Sequence, residues 1–249
     1  MFEFTADWLA FLALAAFIAG FIDAIAGGGG LITVPVLLLA GATPIETLGT
    51  NKIQSIFGSG SAVLAYSRKG HVDLKPQLPS ALISYGGAVL GALAATQLPQ
   101  ETFRAILPFI LIAIAGYFAL KPDIGDVDRH ARISPRAFML SVVPLVGFYD
   151  GIMGPGTGSF FMLGFVTLAG YGVLKATAHT KLLNFASNAG GLTAFALTGV
   201  ILWKTGLVMG VAQFLGARIG AHFAMKNGAK LIKPLLVLTC VALAVKLLV

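Results

Sequence analysis

Apolar positions in this chain neither alternate nor trace a narrow stripe. They run in long blocks parted by short polar clusters, at approximately 8–26, 31–41, 53–67, 78–98, 103–120, 137–153, 158–170, 182–198, 205–225 and 231–249. Blocks that are apolar on every side predict helices within a membrane, where a full crossing takes about 20 residues. The block at 31–41 is too short to cross, and the one after Gly156 is marginal. Each is expected to pair with the block before it as a glycine-broken or re-entrant unit. Irregular backbone at such a break is tolerated only inside protein or beside a water-filled cavity.

The breaks repeat. Gly20-Phe-Ile-Asp-Ala-Ile-Ala-Gly-Gly-Gly29 returns as Gly147-Phe-Tyr-Asp-Gly-Ile-Met-Gly-Pro-Gly156, with six of ten positions identical at an offset of 127. Further matches follow in the same order: Lys52 with Lys181, Gly70 with Gly199, Lys75 with Lys204, Leu90-Gly91-Ala92 with Leu215-Gly216-Ala217, and Pro108 with Pro234. Two halves that each interrupt an apolar segment with glycine at the same place are the sequence mark of a secondary transporter. The broken segments of such folds line a site near the bilayer midplane.

Composition agrees with a membrane setting: 57% hydrophobic residues, 11% charged and a mean hydropathy of +0.89, where a soluble domain carries about a quarter charged residues. The excess of 17 Lys+Arg over 10 Asp+Glu gathers in loops and forms no basic-aromatic surface for nucleic acid. Those loops hold Arg68, Lys69 and Lys75; Lys121, Arg129, Arg132 and Arg136; and Lys226, Lys230 and Lys233. If each broken unit returns to its own side, all three loops and Lys175 share one face, with Glu3, Asp7 and Glu46 opposite. By the positive-inside rule that face is cytoplasmic. Both termini are then periplasmic and the two halves inverted. The acidic N-terminus lacks the basic region of a cleavable signal, so the first apolar block is expected to remain. The division expected is a first membrane repeat over 1–120, a cytoplasmic linker over 121–136 and a second membrane repeat over 137–249.

Candidate chemistry follows the repeat. A helix is expected to open near Thr50-Asn51-Lys52 and again near His179-Thr180-Lys181. Lys52, Ser55 and Ser59 fall at i, i+3 and i+7 and share one helical face, as do Lys181, Asn184 and Asn188. Each half thus supplies one cation and two uncharged hydrogen-bonding groups, and the pair of lysines is suited to hold a small anion. The alternative is that both lysines sit at helix ends and snorkel to the interface. Asn51 and Thr180 are placed to orient the lysines or touch ligand, and Thr33 and Ser159 to add hydroxyls. Gly28, Gly29 and Gly30, with Gly156, Thr157 and Gly158, open short helices whose free N–H groups favour anions. Close helix packing is the competing use of glycine, and Gly87/Gly91 and Gly216/Gly220 read that way. Asp23 and Asp150, four residues before the glycine clusters, are candidates for proton coupling or counter-ions for Lys52 or Lys181.

Signals for other classes are poor. His71, His130, His179 and His222 are scattered without metal-ligand spacing, and Cys240 is alone, so neither a metal nor a cofactor is expected. Gly156-Thr-Gly-Ser does not match a nucleophile elbow, and no Lys-Ser/Thr follows the glycine runs as in a phosphate-binding loop. No enzyme is expected.

The stretch from Phe21 through Gly30-Leu-Ile-Thr-Val-Pro35, followed by Gly49-Thr-Asn-Lys52, resembles the opening of the TauE/SafE (sulfite exporter) family of bacterial membrane permeases. Gly147 to Gly158, then Thr180-Lys181 through Asn188, is similar to that family's repeat, although Pro155 and Thr157 interrupt the second glycine run. The resemblance implies an inner-membrane transporter of small sulfur-containing anions such as sulfite or sulfonates like sulfoacetate. The reading is an all-α polytopic membrane protein of two inverted-topology repeats. Each opens with a broken unit followed by three transmembrane helices. It exports its anion by alternating access, with protons as candidate coupling ions. Importer, channel and a non-transporting sensor or assembly subunit remain the alternatives; oligomeric state is not legible.

Overall fold

The computed structural model describes residues 5–97, 112, 120 and 125–248. Every regular element among them is helical. In chain order these are α1 (Ala6–Ala26), α2 (Gly30–Leu39), α3 (Pro44–Arg68), α4 (Leu74–Ala95), α5 (Pro135–Ile152), α6 (Thr157–Thr167), α7 (Val173–Thr198), α8 (Trp203–Asn227) and α9 (Ala229–Leu248). The block expected at 103–120, with Pro108, lies outside the described residues apart from Ile112 and Leu120, as do Glu3 and Lys121. By length and composition α1, α4 and α8 are able to cross a membrane. Helices α3 and α7, of 25 and 26 residues, are as long but more polar.

Local chemistry sets the helix starts. Thr43 and Glu46 form a reciprocal capping box around Pro44 at the head of α3. Ser134 caps α5 ahead of Pro135, and Asp73 accepts from the Lys75 N–H at the head of α4. These caps correct one expectation. Helices α3 and α7 do not open at Lys52 and Lys181 but eight residues earlier, at Pro44 and Val173. The lysines therefore lie about 12 Å inside their helices, and both are buried. Snorkelling to an interface is excluded for both.

Each short helix folds back along the helix before it. After α1, Gly27 and Gly28 take φ of +81° and +95°, a left-handed turn that glycine makes without strain. Helix α2 then returns, so that Leu37, Ala40 and Ala42 pack with Leu12 and Ala16. After α5, Gly154 and Gly156 take φ of +84° and +88°, and α6 runs back until Leu168 accepts from Arg132 N–H (2.8 Å) beside the start of α5. The two turns meet: a Cβ on Gly27 would stand 2.8 Å from the Gly158 backbone.

Two further helix pairs approach through glycine. Gly91 packs on the Phe148 carbonyl and Gly87 on that of Pro144, joining α4 to α5; Gly216 and Gly220 pack on the carbonyls of Phe17 and Phe21, joining α8 to α1. Residues 125–134 gather one end of the assembly. Asp126 accepts from Leu174 and Ala229 N–H groups (3.1 and 2.9 Å). Asp128 accepts from Gly172 N–H (2.8 Å) and pairs with Lys175. At the other end Leu202 N–H donates to Thr50 Oγ1 (3.1 Å). Large apolar side chains such as Leu82, Leu90, Leu145, Val211 and Leu215 face outward, while Lys52 and Lys181 rank among the largest fully buried side chains. Apolar surface around a polar interior is the arrangement a lipid solvent demands.

Candidate functional site

The site forms where the two glycine turns meet. Asp23 lies in the last turn of α1 and Asp150 in the last turn of α5. The chain leaves helical geometry just after each, and the helix end collects partial negative charge; the Asp23 carbonyl still accepts from Gly27 N–H (2.9 Å). Each lysine meets such an end, and it is the end belonging to the other half. Lys52 Nζ of α3 pairs with Asp150 Oδ1 at 2.9 Å and donates to the Asp150 backbone carbonyl. Lys181 Nζ of α7 pairs with Asp23 Oδ2 at 3.3 Å and donates to the Asp23 carbonyl. The relative exposure of Lys52 is 1% and that of Lys181 is 0%. Gly191 makes the first pairing possible, since a Cβ there would stand 2.9 Å from Cε of Lys52.

The carboxylates differ in their remaining partners. Asp23 Oδ1 accepts from Gly29 N–H at 3.1 Å, so both its oxygens are engaged. Asp150 Oδ1 accepts from Lys52 and also from Thr157 Oγ1 (2.8 Å), leaving Oδ2 buried with no hydrogen-bond partner among the described residues.

Between the turns lies a small polar cavity of about 20 Å³, room for about one water. Asp23, Asp150, Asn51, Ser55, Asn184 and Asn188 line it, with Gly28, Gly29, Gly30, Gly154, Gly156, Thr157 and Gly158 supplying the heads of α2 and α6. The lysines stand behind the aspartates rather than on the lining. Asn51 Oδ1 accepts from Thr33 Oγ1 (2.8 Å) and Gln54 Nε2 (3.0 Å), and Asn188 Nδ2 donates to Asn184 Oδ1 (3.0 Å). Ser59 turns its hydroxyl to the Ser55 carbonyl (2.6 Å), and Thr180 is buried off the lining. Ser159 is buried one residue past Gly158.

Gly191 and Gln54 escaped the sequence reading, as did two tyrosine hydroxyls that brace the turns: Tyr66 donates to the Ala24 carbonyl (2.9 Å) and Tyr149 to that of Pro155. Gly191 carried a signal in the Gly190-Gly191 pair within a helix. No group of three or more His, Cys, Asp or Glu arranged for a metal occurs among the described residues.

Buried charge at the junction of broken helices, inside an all-helical assembly with an apolar exterior, defines a membrane transport protein. Residues 12–247 match the family model described as sulfite exporter TauE/SafE, and the chain belongs to that family. It is 66% identical over 240 residues to a Sinorhizobium protein called "Probable membrane transporter protein ORF9", covering 96% of this chain and 92% of the relative. It is 46% identical to "Probable membrane transporter protein YfcA" of Escherichia coli K12, covering 96% and 89%. A "Probable membrane transporter protein" of Haemophilus influenzae is 45% identical over 97% of this chain and 94% of its own. No solved structure matches. Family and relatives alike are described as membrane transporters, not enzymes.

Proposed function

We propose that the chain is a secondary transporter of the bacterial inner membrane that exports small sulfur-containing anions, sulfite or organosulfonates such as sulfoacetate, by alternating access. Its two halves, 1–120 and 137–249, are inverted repeats joined by a cytoplasmic linker over 121–136, with both termini periplasmic. The opposite directions in which the α1–α2 and α5–α6 hairpins return support inversion. Charge supports the orientation: Arg129, Arg132, Arg136 and Lys175 lie at the end gathered by residues 125–134, which the positive-inside rule assigns to the cytoplasm.

The observation that carries the reading is the crossed pairing of Lys52 with Asp150 and Lys181 with Asp23 across one polar cavity. Each pair ties one half to the other, so relative rocking of the halves must reorganise both. The glycine-rich heads of α2 and α6 turn toward the same cavity and suit an oxyanion. Asn51, Ser55, Asn184 and Asn188 give it uncharged hydrogen bonds; Lys52 and Lys181 give it cations once it competes with the aspartates. Ser59 and Thr180 serve as support one layer back. A cavity with room for about one water is too small for an oxyanion, and rocking must widen it before one fits. An anion leaving a cell with inside-negative potential gains about 2.3 kcal/mol per charge per 100 mV. That potential or a proton gradient through Asp23 or Asp150 supplies the driving force.

The test is flux of labelled sulfite and a small panel of sulfonates from proteoliposomes, with membrane potential and pH gradient set independently. Saturable flux with counterflow is expected. Flux without counterflow indicates a channel, and folded protein that moves no sulfur anion removes the substrate class.

A further inference from the structure

The two repeat-related aspartates are not equivalent, and the difference bears on what travels with the anion. Asp23 spreads its charge over two engaged oxygens, with Gly29 N–H on Oδ1 and Lys181 on Oδ2. Asp150 concentrates its donors, Lys52 and Thr157, on Oδ1. Its Oδ2 is left without a partner among the described residues, although the residue is only 1% exposed and lines the cavity. A buried carboxylate oxygen without a donor loses its hydration and gains nothing in return. A proton on that oxygen removes the penalty and turns the orphan acceptor into an O–H donor on a residue that lines the cavity.

We propose that Asp150, and not Asp23, carries one proton together with each anion. The proton passes from hydronium to Oδ2, forming the O–H bond and leaving water, and returns to water on the far side. The charged groups around it pull in opposite directions: Lys52 favours the carboxylate, and Asp23 across the cavity favours the neutral acid. Lys52 on α3 is bound to Oδ1 until an anion competes for it, and a proton on Asp150 eases that release; Asp23 on α1 lines the same cavity with its charge balanced by Lys181 on α7. Thr157 on α6 holds Oδ1, and Tyr149, the neighbour on α5, turns its hydroxyl away to Pro155. An anion entering between two carboxylates is repelled until one is neutral, so anion binding and proton uptake promote each other. One proton cancels the charge of a monovalent cargo. Transport of such an anion then responds to the pH gradient and not to the membrane potential, and its export runs down the anion's own concentration gradient, since the accompanying proton leaves against the usual inward gradient. The cargo rests on the anion reading above; the proton site does not.

The two are tested separately. Infrared difference spectra of the purified, full-length protein over about pH 4 to 9 read the C=O stretch of buried protonated carboxyls without any substrate. One titrating carboxyl band is expected, lost in Asp150→Asn and kept in Asp23→Asn. The reverse pattern, or a wild-type spectrum no different from that of Asp150→Asn, overturns the proposal. Thr157→Val covers the case in which Asp150→Asn does not fold. Removing the Thr157 hydroxyl, which reaches both Oδ1 and the Gly154 carbonyl, must shift the frequency of the carboxyl C=O band, whereas Thr33→Val must not; an unshifted band in Thr157→Val overturns it equally. In proteoliposomes loaded with labelled methanesulfonate, a monoanion, flux is expected to follow an imposed pH gradient and to ignore a potassium-valinomycin potential. Flux that follows the potential alone overturns the coupling. Absence of flux for methanesulfonate and sulfite alike counts against the anion reading, and the infrared result still decides the proton site.

Discussion

The first break, at glycines 27–30, and the second, at residues 154–158, do the same job with different chemistry. Each ends a long helix within a turn of an aspartate, turns through glycine with positive φ, and offers that aspartate's carboxylate and backbone carbonyl to a lysine from the other half. The first break secures its aspartate with a backbone amide, Gly29 N–H; the second uses a hydroxyl, Thr157 Oγ1. An amide is fixed by the turn itself, while a hydroxyl rotates. Where the second break trades glycine for proline and threonine, its carboxylate keeps one oxygen free. The repeat thus supplies a symmetric frame, and small departures from it divide the labour.

The largest effect is expected where the two turns touch. Gly27→Val meets both a φ of +81° and the Gly158 backbone at 2.8 Å, and should abolish folded protein on size-exclusion chromatography. Gly86→Ala is the control, since nothing lies within 4 Å of its Cβ, and should behave as wild type. If Gly27→Val folds normally, the contact between the breaks is wrong.

Next come the crossed pairs. Lys52→Ala and Lys181→Ala each strand a buried carboxylate and should cost about 3–5 kcal/mol in stability, with the larger loss at Lys52, whose ion pair is shorter (2.9 against 3.3 Å). Replacing a whole pair with apolar residues of similar volume is often neutral. The doubles Lys52→Met/Asp150→Leu and Lys181→Met/Asp23→Leu should therefore regain thermal stability in detergent and stay inactive in transport. Doubles as unstable as the single variants would show that the pairs are not independent units.

A smaller effect separates the two breaks directly. Thr157→Val removes a hydrogen bond to a charged oxygen, worth about 1.5–3 kcal/mol. Thr33→Val, at the first break, loses only neutral contacts to Gly29 O and Asn51, about 0.5–1.5 kcal/mol. Equal losses in thermal denaturation would mean that the hydroxyl carries no special load.

The smallest effect lies in residues 125–134. Burial on its own would raise the carboxyl of Asp128, but the Gly172 N–H and the hydrogen bond and charge of Lys175 outweigh it and hold the group below its ordinary value. Its folded value is depressed, so the contribution is present above the ordinary value and is lost as pH falls through the depressed one, below about pH 4. Both partners are half exposed, and Asp128→Asn should cost under about 1 kcal/mol. Hydrogen-exchange protection over residues 125–134, corrected for the intrinsic rate at each pH, should change little above pH 5 and fall below pH 4. A large change near neutral pH would contradict this assignment.

Much of the frame was legible because the repeat lies in covalent sequence. Glycine at matched offsets located both breaks, and the i, i+3, i+7 spacing put Ser55 with Lys52 and Asn184 with Lys181. The helix starts were misjudged because apolar blocks do not reveal polar membrane helices; Thr43 and Glu46, the capping residues, were the signal to use. The crossing of the pairs was not legible at all. Spacing within a segment says nothing about which half's lysine reaches which aspartate, and symmetry allows both choices. Nor does spacing reveal that a broken helix offers a carbonyl to the lysine as well as a carboxylate.

Counterflow in proteoliposomes tests the central claim most directly: unlabelled sulfite inside, labelled sulfite outside, with wild type and the two pair-replacement doubles matched for folded protein. The account predicts transient accumulation of label by wild type and none by either double. Accumulation by both doubles at the wild-type rate would contradict it and reduce the crossed pairs to scaffolding.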